Sequence, residues 1–318
     1  MRRFAFVGVD TAGSSIRAIF PVWRDRLELG DDVTLDGVDI PVGASPERYR
    51  AVVETLDGDP SFVGALVTTH KVAVYDAARD LFAELDRFAL LCGEVSCVAK
   101  RGGKLLGWAK DPISAGRALD DLLGERYFER TGGEVLCIGA GGAGTAIALC
   151  LMTRPEPGDL PGRIVVADAA AARVRTVAEL HRKLGSPVPL DSHVTSEPGE
   201  LDRLLAALPP GSVVINATGM GKDRPGSPVG DGARFPERAV VWELNYRGSL
   251  EFLHQAQAQA ASRELGVADG WRYFVFGWTA VIEEVFERAI AAAEIELLAA
   301  DAEFARPRRA LHLSGDRA

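Results

Sequence analysis

The sequence has no run of about 18 apolar residues, so a membrane-spanning helix is not expected. It has only four cysteines, Cys92, Cys97, Cys137 and Cys150, in apolar surroundings and at spacings that match no zinc pattern. That scarcity argues against a disulfide framework and for buried, reduced thiols in a cytoplasmic protein with no metal site. Positive charge is also short: 36 Lys and Arg stand against 45 Asp and Glu, a net charge of −9. Neutralising nucleic-acid phosphates requires a basic face, and none is visible. A small anionic ligand stays open, because one local cation outweighs a distant field. The opening "MRRFAFVGVD" has two arginines but an apolar run that stops at Asp10, which reads as a first strand rather than a targeting segment. Internal repeats and low-complexity tracts are absent.

What is present is the composition of a soluble globular protein, 47% apolar and 25% charged, over 318 residues. That length favours two domains over one core. Strand-like runs at 4–10 and 62–69 alternate with helical periodicity at 45–58 and 71–93. Residues 94–111 read as two strands joined by a turn at Arg101, Gly102 and Gly103, and Pro112 suits the first turn of the helix that follows. After "RTGGEV", four more strand-like runs, at 135–138, 163–168, 212–218 and 239–245, predict a parallel sheet with crossover connections. The turn-rich segment 223–236 follows a strand end, where open α/β sheets place their ligands. Residues 277–305 read as one long helical stretch, and the tail from 306 as polar and frayed.

In "VLCIGAGGAGTAIALCLM", residues 135–152, side chains are given up where a buried strand hands over to a helix. Gly139, Ala140, Gly141, Gly142, Ala143 and Gly144 fit G-x-G-x-x-G in the strand-then-helix context that makes the pattern informative. Gly139 permits a tight turn, Gly141 lets backbone approach a pyrophosphate, and Gly144 lets helix and strand pack closely. The helix N-terminus adds unpaired N–H groups and a partial positive charge. Asp168, at the end of "RIVVAD", stands where an acid accepts hydrogen bonds from a ribose diol and repels a 2′-phosphate. NAD is therefore the expected cofactor, with NADP the alternative if Arg173 offsets that charge. S-adenosylmethionine, whose ribose is held similarly, and a glycine turn with no ligand are the competing readings.

The order of motifs, "VTTHK", "GWAKD", "GAGGAG", "NATGMG", "ELNYRG" and a "GW" leading a last helix, resembles the shikimate/quinate dehydrogenase family across nearly the whole chain. The resemblance implies an α/β chain with an N-terminal α/β substrate domain (1–115 and 270–318) and a Rossmann NAD(P)-binding domain (116–269). The C-terminal helix returns to the substrate domain. The implied activity is an NAD(P)-dependent dehydrogenase that interconverts an alcohol and a ketone on a shikimate- or quinate-like hydroxylated ring. The implied partner is a small molecule alone, in a monomer or homodimer.

The family's lysine closes a motif like V-T-x-P-H-K; here "VTTHK" ends in Lys71, one residue short and without the proline. The family's aspartate in G-x-N-T-D-G corresponds to Asp111 of "GWAKDP". Lys71 and Asp111 are thus the implied proton-transfer pair, an ammonium that stabilises a developing alkoxide and a carboxylate that orients it. Ser14, Ser15, Thr68 and Ser96 are implied in substrate binding. The family's Ser-x-Ser has become Gly13-Ser14-Ser15, and two of its asparagines are Leu66 and Ser96. Each lost amide removes a partner for a ring hydroxyl, which predicts a different substrate. On the cofactor side, Asn216, Ala217, Thr218, Gly219 and Met220 resemble the loop beside the nicotinamide ribose. Asn245 and Tyr246 are expected to shape the nicotinamide pocket, and Gly277 to open the last helix near the carboxamide. The replaced residues raise a non-catalytic or regulatory NAD(P)-binding module as the alternative, and a dinucleotide domain with a facing lysine also suits a reductase of another cyclic substrate.

Overall fold

The computed structural model describes residues 1–155, 158–196, 199–222 and 224–307; Asp223 and the tail from residue 308 lie outside them. Its contacts divide the chain into two compact units, 1–115 with 274–306, and 116–273. Both are α/β, and the C-terminal segment from Phe274 belongs to the first.

In the first unit, β1 (Arg2–Gly8), β2 (Val33–Asp39) and β3 (Phe62–Val67) run parallel, connected through α1 (Ile16–Arg26) and α2 (Pro46–Gly58). The apolar runs of β1 and β3 are buried almost throughout, as central strands covered on both faces must be. Then come α3 (Lys71–Ala78), a short β4 (Glu84–Leu85), α4 (Arg87–Cys92), and the hairpin of β5 (Cys97–Arg101) and β6 (Lys104–Trp108). The sheet order is β2-β1-β3-β5-β6-β4, with β5 alone antiparallel to its neighbours. The hairpin turn is Gly102 and Gly103, both at positive φ (56° and 74°), the turn type whose twist suits paired strands.

The single helix expected over 71–93 is broken. Glu84 and Leu85 pair with Leu106 and Gly107 of β6, and Asp86 then caps α4, its carboxylate accepting from the Ala89 and Ala109 N–H groups at 2.8 and 3.0 Å. Helical periodicity carries no information about a strand partner so far along the chain.

The second unit holds β7 (Val135–Ile138), β8 (Ile164–Asp168), β9 (Leu190–Val194), β10 (Val213–Asn216), β11 (Val240–Glu243) and β12 (Gly266–Ala268). All six are parallel in the order β12-β11-β10-β7-β8-β9, the doubly wound arrangement whose strand order reverses between β7 and β10. Helix α5 (Asp111–Leu123) leads into this unit, followed by α6 (Tyr127–Thr131), α7 (Gly142–Met152), α8 (Ala171–Leu184), α9 (Glu200–Ala206) and α10 (Glu251–Arg263).

The helical stretch expected over 277–305 is two helices, α11 (Trp271–Val285) and α12 (Ala292–Ala302). Asp269 accepts the Trp271 N–H at 3.1 Å and so starts α11 well before Gly277. Trp23 of α1 is fully buried and donates its indole N–H to the Leu298 carbonyl at 2.8 Å, which seats α12 in the first unit. Among the described residues no helix is long and apolar enough to cross a membrane.

Candidate functional site

Strand direction decides which residues meet. β1, β2, β3 and β6 all end at one edge of the first sheet, and the reversed β5 starts there. That edge gathers Ser14 and Ser15 after β1, Thr68 and Lys71 after β3, Ser96 before β5, and Asp111 after β6. Thr68 Oγ1 donates to the Val7 carbonyl at 3.2 Å, and Ser96 Oγ accepts the Lys110 N–H at 2.7 Å. His70 is buried between the Ile40 carbonyl (2.8 Å) and the Tyr49 hydroxyl (3.3 Å), tying the turn after β3 to the end of β2. Ser15 precedes α1, but its hydroxyl makes no capping bond.

Lys71 opens α3 and Asp111 opens α5. The Lys71 ammonium donates to the Asp111 carboxylate, and the two side chains are only 21% and 17% exposed. A third charged group, absent from the sequence expectations, stands beside them. Glu94 lies between α4 and β5, where the next residue's N–H bonds to the Lys71 carbonyl at 3.1 Å. Its side chain is buried, and Oε1 has no hydrogen-bond partner among the described residues. Burial pushes Glu94 up to about 7; the Lys71 charge opposes the rise and the Asp111 charge adds to it. Burial alone lowers Lys71, but the charges of Asp111 and Glu94 outweigh it and hold the amine above its ordinary value. An ammonium kept protonated in this way gives a hydrogen bond or a proton to an oxygen and recovers it afterwards. Cys92, nearby, is pushed up to about 12, chiefly by burial, and is not a nucleophile at neutral pH. The signal for Glu94 in the sequence was a single acid inside the apolar run "LLCGEVSCVA".

In the second unit, Gly139 takes φ +104°, and a Cβ there meets the Ala217 carbonyl carbon at 2.8 Å. A Cβ on Gly144 lands 1.9 Å from the Gly139 carbonyl oxygen. A Cβ on Gly141 meets nothing within 4 Å. Packing therefore demands two of these glycines, and the third leaves open backbone immediately before α7, whose Gly142, Ala143 and Gly144 form the first turn. Asp168, ending β8, is anchored to this loop: its two oxygens accept the Ala140 and Ala170 N–H groups at 2.8 and 2.7 Å, and Arg173 stands 3.6 Å away. Each carboxylate oxygen keeps a lone pair for a further donor.

The loops after β10 and β11 are joined by a buried network. Asn216 donates to Glu243 Oε2 at 2.6 Å, and its Oδ1 accepts the Thr218 N–H (3.1 Å) and hydroxyl (2.7 Å). Thr218 Oγ1 accepts the Met220 N–H at 3.1 Å. Asn245 donates its side-chain amide to the Met220 carbonyl at 3.0 Å and to Glu243 Oε1 at 2.6 Å. Glu243, a second residue missing from the sequence expectations, is fully buried; burial pushes it up to about 7 against the donors that favour its charged form. Asn216 and Asn245 thus fix loop shape with their side chains, while Ala217 and Gly219 (φ 73°) complete the turn. Tyr246 packs edge-on against Trp271 at 5.3 Å, and burial raises its phenol. Gly277 does not open a helix as expected; it lies inside α11, with nothing within 4 Å of a Cβ placed on it.

No family model matches the chain. It is 31% identical over 236 residues to the shikimate dehydrogenase (NADP(+)) of Methylobacterium radiotolerans, covering 73% of each chain. Among solved structures, it is similar to shikimate 5-dehydrogenase from Thermus thermophilus in complex with NADP(H) and shikimate. That likeness has a TM-score of 0.70 and 24% identity, over 95% of this chain and 100% of the other. It is also similar to quinate dehydrogenase from Corynebacterium glutamicum in complex with NAD, with a TM-score of 0.73 and 20% identity, over 94% and 98%.

Proposed function

The chain belongs to the shikimate dehydrogenase family, and we propose that it is an NAD(P)-dependent oxidoreductase interconverting an alcohol and a ketone on a hydroxylated ring. The observation that carries this reading is the enclosed ion pair of Lys71 and Asp111 at the strand-end edge of the first sheet. In reduction, the Lys71 ammonium hydrogen-bonds the carbonyl oxygen and passes it a proton as negative charge develops there. In oxidation, the pair first releases one proton to solvent; the neutral Lys71 amine then takes the alcohol's proton, and the ammonium so formed hydrogen-bonds the oxygen. Asp111 keeps the ammonium aimed, and the pair titrates as a unit. Ser14, Ser15, Thr68 and Ser96 supply hydroxyls for the ring substituents.

The second unit fits a dinucleotide by its own geometry. The backbone at Gly141 is open to close approach, and the N-terminus of α7 faces the same turn. A nicotinamide cofactor supplies a hydride acceptor or donor when bound. Gly139 to Gly144 would hold its pyrophosphate, Asp168 its adenosine ribose, and the loops carrying Asn216 to Met220, Asn245 and Tyr246 its nicotinamide end. Asp168 favours NAD, because its carboxylate accepts from a ribose diol and repels a 2′-phosphate; the exposed Arg173 beside it leaves room for NADP.

The test is calorimetry with NAD(H) and NADP(H) at millimolar ligand, and steady-state assays with shikimate, quinate and neutral cyclitols. Lys71→Ala and Asp111→Asn are expected to keep cofactor binding while losing about 100-fold or more in kcat. Turnover that survives Lys71→Ala, or a protein that binds neither cofactor, sinks the reading.

A further inference from the structure

Buried polar atoms in native proteins are almost always hydrogen-bonded, and each exception calls for a cause. Glu94 is such an exception. The residue is 3% exposed, and Oε1 is sealed from solvent with no partner among the described residues. Leaving a charge-bearing acceptor in this state is costly, and a simple core position is served better by an apolar side chain. The Lys71 charge favours the carboxylate, but the ammonium's hydrogen bond goes to Asp111 and not to Glu94. The residue stands at the edge where Lys71, Asp111, Thr68 and Ser96 meet, which is where the proposed substrate ring sits.

We propose that Glu94 is a specificity-determining residue of this site: its carboxyl accepts a hydrogen bond from a hydroxyl or ammonium donor on the substrate, close to the carbon that Lys71 serves. The assignment rests on the dehydrogenase reading above for the identity of that carbon. A hydroxyl and an ammonium share the needed chemistry, an X–H donor without negative charge. A carboxylate in the same place meets Glu94 and Asp111 against the single ammonium of Lys71. Donor binding also favours the charged form of Glu94, so it lowers the pH at which Glu94 titrates. The titratable groups facing it are Lys71 at the start of α3, Asp111 at the start of α5 and Cys92 at the end of α4.

The experiment labels glutamate side-chain carboxyls with carbon-13 and identifies Glu94 as the resonance missing from Glu94→Gln. The NAD-saturated protein is then titrated over pH with shikimate, quinate, a neutral inositol and an amino-substituted cyclitol at millimolar concentration. At least one of them is expected to lower the titration midpoint of Glu94. For that compound Glu94→Ala loses about 100-fold in kcat/KM, carried by KM. Glu94→Gln, whose amide oxygen still accepts, loses about tenfold if the donor is a hydroxyl and about 100-fold if it is an ammonium. A Glu94 resonance unmoved by every compound, or a folded Glu94→Ala variant within about threefold of wild type in kcat/KM, overturns the assignment. A midpoint that shifts with no turnover of any compound counts against the dehydrogenase reading and leaves Glu94 as a ligand contact.

Discussion

Gly144 and Gly141 lie three positions apart in one turn, and the structure gives their alanine variants opposite fates. Gly144→Ala puts a Cβ 1.9 Å from the Gly139 carbonyl oxygen and 2.9 Å from its carbon, with Cys137 Sγ at 3.4 Å. Real Cβ atoms essentially never approach under 3.0 Å, so α7 or the Gly139 backbone has to yield by about 1 Å, an overpacking cost of about 3 kcal/mol. Neither party is free to move: Gly139 bonds its N–H to the Ala167 carbonyl at 2.7 Å, and α7 is buried along most of its length. Gly141→Ala meets nothing within 4 Å, and its φ of −74° suits any residue. Its stability should stay within about 0.5 kcal/mol of wild type. Its dinucleotide affinity should fall at least tenfold, by about 1.4 kcal/mol, because the added methyl occupies the approach to the backbone. Urea unfolding followed by circular dichroism measures the first effect, and calorimetry with NAD the second. A Gly144→Ala protein as stable as wild type refutes the packing argument. Unchanged NAD affinity in a folded Gly141→Ala protein refutes the placement of the pyrophosphate.

Two other outcomes follow from charges. Glu94 has a folded-state value raised from 4.5 to about 7, so the native chain retains a proton that the unfolded chain releases in that window. Its contribution is whole below about 4.5 and is lost as pH rises through 7, a change of about 3 kcal/mol at most. The stability difference between wild type and Glu94→Gln should therefore drift by that order between pH 4.5 and 7.5 (about three units of pH) in urea unfolding; a difference that stays constant with pH contradicts the burial-driven shift. Asp168→Asn keeps an acceptor for the glycine loop, removes the charge and frees Arg173, so the ratio of NADP to NAD affinity should rise at least tenfold. An unmoved ratio in calorimetry means that another residue reads the 2′ position.

The sequence made some of this legible and concealed the rest for definable reasons. β1, β3, β7 and β8 were visible because buried parallel strands are short continuous apolar runs, and the β5–β6 hairpin because its glycines announce the turn. β2 was not marked: it is an edge strand, half exposed and interrupted by Gly37, where a Cβ would come within 2.2 Å of Thr11 Oγ1. β9 and β12, edge strands of the other sheet, were hidden in the same way. Lys71 and Asp111 carried motif frames; the hairpin over 94–111 sets Glu94 across from Asp111 at its open end, but no motif marked it and its burial shows only in the folded chain. Asn216 was legible as a position and not as a partner of Glu243, since a cross-strand carboxylate leaves no local pattern.

The Glu243 network has a kinetic meaning. The turns carrying Met220 and Asn245 are bolted to one buried carboxylate and to each other, so they are shaped before any dinucleotide arrives. Ordering entropy that a slack loop surrenders at each encounter is surrendered here once, when the chain folds. Under the coenzyme placement proposed above, capture at this wall is docking onto a surface already shaped in the free protein.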